Sequence, residues 1–441
     1  MISSLVYLMV VSRRLRPLGD DYCIALRSEF GLVASLDYWW STWSGDLVSI
    51  FWYTLLVGLP LLNFPIQFVS SVALVVALLL TGFVGSLMVS RSFQRPPSWR
   101  RLSTFKLALI AFPAFSTSWV AFFWIPVDED PNFSLGLAVS STMWPTVIAA
   151  HVIPALLAVT FLVMIACINR TWIFILAALG GLFVGLSGLA LALTVSLSLV
   201  GWITLTIIFR LDLGAFARRR LWAAGVMLLA LATSGLIAAT SPGVRSRSSE
   251  QLQASSPPVI LNEVFPETFA RIVNSTVSLA SLITLLVFLV LGMFLAQAGL
   301  VRRSHTQGRI ILILLLLVTA SSFSNALSDV LVYQAVWHQV VPFTMSYLFT
   351  AYLGVVMGTV LVEMGLSPSI QAPLVVLAAL AIISTITAIN GFGGVAAERL
   401  QQWGSGAAPL GGISDIEQPD MGDCWTEVRV RAPQLMDARS A

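Results

Sequence analysis

Two adjacent carboxylates, Asp20 and Asp21, stand in the run PLGDDYC directly after the first apolar segment. Paired acids at a membrane surface suit two chemistries. They can hold a divalent cation, Mg2+ or Mn2+, against a phosphate, or one of them can act as general base on a hydroxyl. Tyr22 follows them. The block YWWSTWSGD, Tyr38 to Asp46, then brings Trp39, Trp40, Trp43 and the acid Asp46. Such tryptophans suit either an interfacial aromatic belt or the lining of a sugar or lipid groove. Further on, SPGVRSR carries Arg245 and Arg247. A guanidinium grips phosphate oxygens as a bidentate fork. His338 ends a loop that also holds Asp329, Tyr333 and Trp337. His151 lies within an apolar run, where a polar group is either functional or a hydrogen-bonded packing residue. The acids of VDEDPN, Asp128 to Asp130, read as a solvated turn.

The elements that must position these groups are membrane helices. Of the 441 residues, 57% are hydrophobic and 10% charged, and the mean hydropathy is +0.90. Several apolar runs reach the length of about 18 residues needed to cross the hydrocarbon. They are continuous, not alternating, which excludes a membrane barrel. The expectation is an all-α, polytopic transmembrane bundle over residues 1–390, followed by a flexible tail over 391–441. Glycine-rich phosphate loops, a nucleotide-binding domain and Cys/His metal spacing are absent from the sequence, and no nucleic-acid partner is expected. Cys23 and Cys424 would pair only if both face outside. Sequence does not fix that connectivity, and the expectation is that they do not pair.

About eleven crossings are expected, all but the first of a length that spans the hydrocarbon: Met1–Val11, Phe68–Ser90, Leu107–Pro126, Pro145–Ile168, Thr171–Gly188, Ala190–Phe209, Trp222–Thr240, Thr276–Leu300, Ile310–Ser328, Pro342–Leu366 and Ala372–Ile389. The apolar run Leu47–Leu62 is placed on the outer face as a re-entrant or interfacial helix, bent at Pro60 and Pro65. With that choice the basic clusters at Arg91–Lys106, Arg170, Arg210–Arg220 and Arg302–Arg309 share the cytoplasmic side, as the positive-inside rule requires. The acids then segregate outward, with only Asp212 and Glu363 on or near the inner side. Residues 12–64 form an acidic, aromatic outer loop, and the C-terminal tail is extracytoplasmic. Arg245 and Arg247, external against the charge rule, call for an anionic ligand. Met1–Val11 is too short to cross unaided and leads straight into Arg13, Arg14 and Arg16, which favours a start upstream of the one given.

In these features the chain resembles the GT-C superfamily of membrane glycosyltransferases. It is most similar to a bacterial group with the patterns D-D-[FY]-C, W-x-G-R and P-G-x-x-x-R. Here they read DDYC at Asp20 to Cys23, WSGD at Trp43 to Asp46, and SPGVRSR at Ser241 to Arg247. The resemblance implies a multi-pass protein of the bacterial plasma membrane with interfacial helices in its first outer loop, Leu32–Trp43 and Leu47–Leu62. It implies transfer of a sugar from a polyprenyl-phosphate carrier to a cell-envelope glycan. Asp20 or Asp21 would serve as base or cation ligand and Arg245 and Arg247 would bind phosphate. Tyr22, Trp39, Trp40, Trp43, Asp46 and His338 would line the substrate. Two departures matter. Asp46 stands where the group has arginine, and Gly188 stands where a glutamate is expected after G-L-S. They leave room for the alternatives of a lipid-linked saccharide flippase or an inactive assembly scaffold.

Overall fold

The computed structural model describes residues 19–42, 44–64, 66–93, 100–126, 137–138, 141–142, 144–168, 170–209, 215–245, 265–302, 304–331, 339–365, 370–383 and 387. Its regular elements are helices, as a chain in lipid requires, since a helix satisfies its backbone donors and acceptors internally. Three short helices come first: α1 (Gly19–Ser28), α2 (Leu32–Thr42) and α3 (Leu47–Leu61). The bundle follows with α4 (Ile66–Ser92), α5 (Arg100–Trp124), α6 (Pro145–Cys167), α7 (Ile173–Gly185), α8 (Leu189–Ile208) and α9 (Ala215–Ala239). It is completed by α10 (Phe265–Thr276), α11 (Leu279–Gln297), α12 (His305–Leu331), α13 (Val340–Glu363) and α14 (Ile370–Ile383). Among the described residues, 8 helices are long and apolar enough to cross a membrane, and α3, α7 and α14 are shorter apolar helices. The expected span Met1–Val11 and the tail over 391–441 lie outside the described residues.

Contacts fix which helix ends lie together. Cys167, the last residue of α6, is within electrostatic reach of Arg91 from α4, Arg220 from α9 and Arg309 from α12. Three of the four basic clusters therefore meet at one end, and Arg170 follows Cys167 by three residues. At the other end, the start of α3 meets the α7–α8 turn and the first turns of α6. Val48 N–H donates to the Leu186 carbonyl at 2.8 Å. Ser49 Oγ lies 2.9 Å from the Ala150 carbonyl and 2.7 Å from that of Ser187, bridging the two. Further along α3, Gly58 packs against Ile24 and Ser28 of α1. Both parts of α3 thus belong to the end away from the arginines, and α4 runs from there to Arg91. The helix over 47–61 therefore stays at one end of the bundle.

Helix pairs close through small residues, the usual device where lipid gives no hydrophobic drive between helices. In the α11–α13 pair, a Cβ added at Gly292 would fall 2.2 Å from the Val355 carbonyl oxygen, and one at Gly358 would fall 2.0 Å from that of Leu289. The core between α5, α11 and α13 is aromatic. Phe115 and Phe288 have ring centroids 4.6 Å apart, and Phe122 and Tyr347 5.5 Å. The Tyr347 hydroxyl donates to the Phe115 carbonyl at 2.6 Å. α14 is peripheral, with Val376, Leu380 and Ile383 exposed and only Ala378 buried.

Sidedness yields the first expected outcome. A cysteine introduced at exposed Asp37 reacts with an impermeant maleimide added to intact cells, whereas one at Arg219 reacts only after permeabilisation. Outward labelling at 219 would overturn the orientation.

Candidate functional site

The helices α1 to α3 form a cap on the end of the bundle away from the arginines. α1 turns into α2 at Gly31, whose φ of +90° is one that glycine adopts without a Cβ penalty. Ser35 Oγ of α2 and Thr54 Oγ1 of α3 share a hydrogen bond of 3.1 Å. The Trp39 ring meets Tyr53 edge-on at 5.9 Å, and the Arg27 guanidinium sits 4.2 Å over the Tyr38 ring. Trp39 is 4% exposed and serves as the core of the cap, while Trp40 is half-buried. Phe30, Val33, Phe51, Leu55 and Phe64 leave apolar surface exposed around the cap, which suits helices resting on a bilayer.

Asp20, Asp21 and Tyr22 occupy the first turn of α1. Two acids there sit at the positive end of the helix dipole. Their side chains lie outside the described residues, as do Trp43, Arg247 and His338 altogether. One residue beyond Tyr22, Cys23 is fully buried and disulfide-bonded, which corrects the expectation that it would not pair. Cys167 is a free thiol, and Cys424, the remaining cysteine of the chain, lies outside the described residues. Disulfides persist in oxidising compartments, in keeping with an external cap.

Asp46 sits where α3, α8 and α9 meet. It is the N-cap of α3, yet its carboxylate makes no capping bond. The carboxylate instead faces Gly188, the N-cap of α8, whose φ is +128°; a Cβ there would lie 3.6 Å from Asp46 Oδ2. Asp46 and Gly188 are therefore neighbours in the fold. A glutamate at 188 would set two carboxylates against each other. Gly45 presses on the last turn of α9, where an added Cβ would fall 2.0 Å from the Ala238 carbonyl oxygen. Beyond that turn residues 242–245 are helical and carry Arg245, exposed, with its N–H on the Ser241 carbonyl at 3.1 Å. Asp46 and Arg245 are thus carried by adjoining elements.

Two π turns frame this junction, Thr54–Gly58 in α3 and Ile148–Val152 in α6. Each has a proline cause. The Ala150 carbonyl would bond the N–H of residue 154, but Pro154 has none; Leu56 stands in the same relation to Pro60. The ladder widens, and Ser49 supplies the donor that Ala150 lacks. π turns are frequent at functional sites, and this one carries the half-buried His151. Sequence reading noted His151 without choosing a role and passed over Ser49 and Ser187. The spacing of Pro154 from Ala150 was the available signal.

A second polar feature also escaped sequence reading. Ser321, Ser322, Ser324 and Asn325 of α12 are at most 2% exposed, inside a membrane span. Trp119 Nε1, Ser324 Oγ, Thr344 Oγ1 and Ser346 Oγ are buried without a hydrogen-bond partner among the described residues. The run SSFSNALSD was the signal. Among the described residues, no three His, Cys, Asp or Glu side chains gather to hold a metal; the Asp20 and Asp21 side chains are not among those described. No family model matches the chain, and no curated protein and no solved structure matches it.

Proposed function

We propose that this chain is a glycosyltransferase that moves a sugar from a polyprenyl-phosphate carrier to an envelope glycan at the outer face of the bacterial plasma membrane. The observation that carries the reading is the cap. It puts the first turn of α1 with the acid pair, the Asp46 junction and the helical segment that carries Arg245 at one end of the bundle. In this reading Asp20 or Asp21 takes the proton of the acceptor hydroxyl, or holds a divalent cation on the donor phosphate. Arg245 and Arg247 stabilise the phosphate as it leaves with its charge. Trp40, Trp43 and His338 line the sugar, and Trp39 holds the cap that shapes the cleft. The C-terminal tail is extracytoplasmic.

The test is direct. The purified protein in liposomes, given a radiolabelled polyprenyl-phosphate hexose and a membrane extract of envelope glycan, is expected to move label into the glycan fraction. Retention of all label on the carrier, across a panel of carrier sugars, would remove the reading.

A flippase for a lipid-linked saccharide is the second reading. Buried polar atoms without partners, Trp119 Nε1 and Ser324 Oγ among them, favour it, because a saccharide crossing the bundle needs donors and acceptors along its path. Movement of label between leaflets without change of carrier would select this reading.

A further inference from the structure

The interface of α5 with α13 takes no part in the transferase reading. Two tryptophans of α5, Trp119 and Trp124, are fully buried, and their indole N–H groups fare differently. Trp124 Nε1 donates to Thr142 Oγ1 at 2.9 Å. Trp119 Nε1 has no hydrogen-bond partner among the described residues. On α13, Thr344 is also fully buried, and its Oγ1 likewise has no partner among the described residues. Elsewhere in the spans a threonine hydroxyl bonds the carbonyl four residues back, as in Thr81, Thr160, Thr194 and Thr359. Thr344 does not make that bond, which leaves its hydroxyl for another partner.

The two groups lie in one layer. The Ser118 and Tyr347 hydroxyls are 2.7 Å apart, which fixes the register of α5 on α13. Trp119 follows Ser118 in the chain. Thr344 precedes Tyr347 by three residues, one turn back on the same side of α13. Ring contacts run between them: Trp119 meets Phe123 at 5.3 Å, Phe123 meets Phe122 at 5.5 Å, and Phe122 meets Tyr347 at 5.5 Å. Ser346 Oγ is also without a partner among the described residues. It stands two residues from Thr344, about 200° round the helix, and so belongs to the other side of α13. A buried donor left unbonded lowers stability, so two such groups in one layer of the core call for a common partner.

The chemistry of that partner follows from the donors. An indole N–H only donates, so the partner must accept, which a bare cation cannot do. Residues 107–124 of α5 and the whole of α13 carry no Lys or Arg, so neither helix would offset a buried anion here. A neutral hydroxyl oxygen fits both groups. It accepts from Trp119 and either donates to Thr344 or accepts from it. We propose that Trp119 and Thr344 form an intramembrane binding site for a neutral hydroxyl group between α5 and α13. They repeat the Trp124–Thr142 pair with one oxygen set between. Water and a saccharide hydroxyl share this chemistry. The inference stands whichever of the two readings above holds, since its test reads stability and neither residue belongs to the cap.

The full chain, purified in a polyoxyethylene detergent free of sugar, is unfolded with SDS. Thr344→Val keeps the shape of the side chain and removes the hydroxyl. If the hydroxyl holds a partner, the folded-to-unfolded ratio falls about two- to tenfold, the worth of one buried hydrogen bond. On a Trp119→Phe background the same change costs nothing, because the bridge is already broken. Ser346→Ala, on the other side of α13, has equal effects in both backgrounds. Should Trp119→Phe not fold, radiolytic footprinting of the sugar-free protein takes its place. Radicals born from water at the site oxidise Trp119 faster than the equally buried Trp124, and Thr344→Val removes the difference. Methyl glucoside then separates the sources. At ten times its Kd a bound saccharide raises the folded-to-unfolded ratio about tenfold by mass action. A rise that Thr344→Val removes identifies a saccharide hydroxyl, and no rise with the coupling intact identifies water; either upholds the site. A Thr344→Val protein more stable than the original, an equal cost of that change in both backgrounds, or Trp119 oxidised no faster than Trp124 overturns the proposal.

Discussion

Asparagine in place of Asp21 is expected to lower sugar transfer by about 10²- to 10⁴-fold, the range over which a positioned general base acts. The substitution is nearly isosteric and sits in the first turn of a cap helix, so the melting temperature should move little. The kinetics separate the two roles open to the carboxylate. If it takes the acceptor proton, kcat falls, KM for the donor is unchanged, and the acidic limb of the pH–rate profile disappears. If it holds a cation, the donor KM rises and excess Mg2+ or Mn2+ restores part of the rate. Asp20→Asn in parallel shows which member of the pair carries which role. Arg245→Gln should also lose transfer, through the leaving phosphate. Groups that act together on one transition state are non-additive, so Asp21→Asn placed on Arg245→Gln should cost far less than it does alone. Full transfer by Asp21→Asn would sink the catalytic assignment, and simple multiplication of the two losses would sink the shared site.

Much of the architecture could be read from residue order. Uninterrupted apolar runs gave the helices, and the arginine clusters led to the expectation that Leu47–Leu62 lies on the outer face without crossing. The contacts of Val48, Ser49 and Gly58 leave this helix at one end of the bundle. Charge segregation works because each cluster obeys one membrane-wide rule. Local packing obeys no such rule. The disulfide of Cys23 was not legible, because pairing depends on where distant segments meet. Nor was the role of Trp39. A tryptophan in YWWSTW reads as a surface aromatic, yet Trp39 is buried between α2 and α3, edge-on to Tyr53. The meeting of Asp46 with Gly188 joins positions 142 residues apart in the chain. Nothing in the residue order links the two positions, because only the fold brings them together. The π turn at His151 lies between these cases, since Pro154 announces a broken ladder but not what fills the gap.

Gly45 offers the sharpest test of that junction. Alanine at this position would place its Cβ 2.0 Å from the carbonyl oxygen, 2.5 Å from the carbonyl carbon and 2.6 Å from the Cα of Ala238. All three are backbone atoms of α9, so no side-chain rotation relieves the contact. Overpacking of this kind costs about 1–3 kcal/mol, and a backbone clash belongs at the upper end. The chain can escape by lifting residues 44–49 off α9. That movement takes the Asp46 carboxylate from Gly188 and pulls Ser49 from the Ala150 and Ser187 carbonyls, where a buried hydrogen bond contributes about 0.5–1.5 kcal/mol. Gly45→Ala should therefore lower the melting temperature in detergent by several degrees and reduce transfer with it. Gly225→Ala, in the same helix α9, is the control. Nothing lies within 4 Å of a Cβ added there, and alanine gains about 0.5–1 kcal/mol over glycine in a helix interior, so its melting temperature should hold or rise. Ala238→Gly should not rescue Gly45→Ala, because removing the Ala238 methyl leaves the offending backbone in place. Rescue by that second change, or a Gly45→Ala protein as stable and active as the original, would mean that α9 is not seated on the cap and that Arg245 is held near Asp46 by something other than this contact.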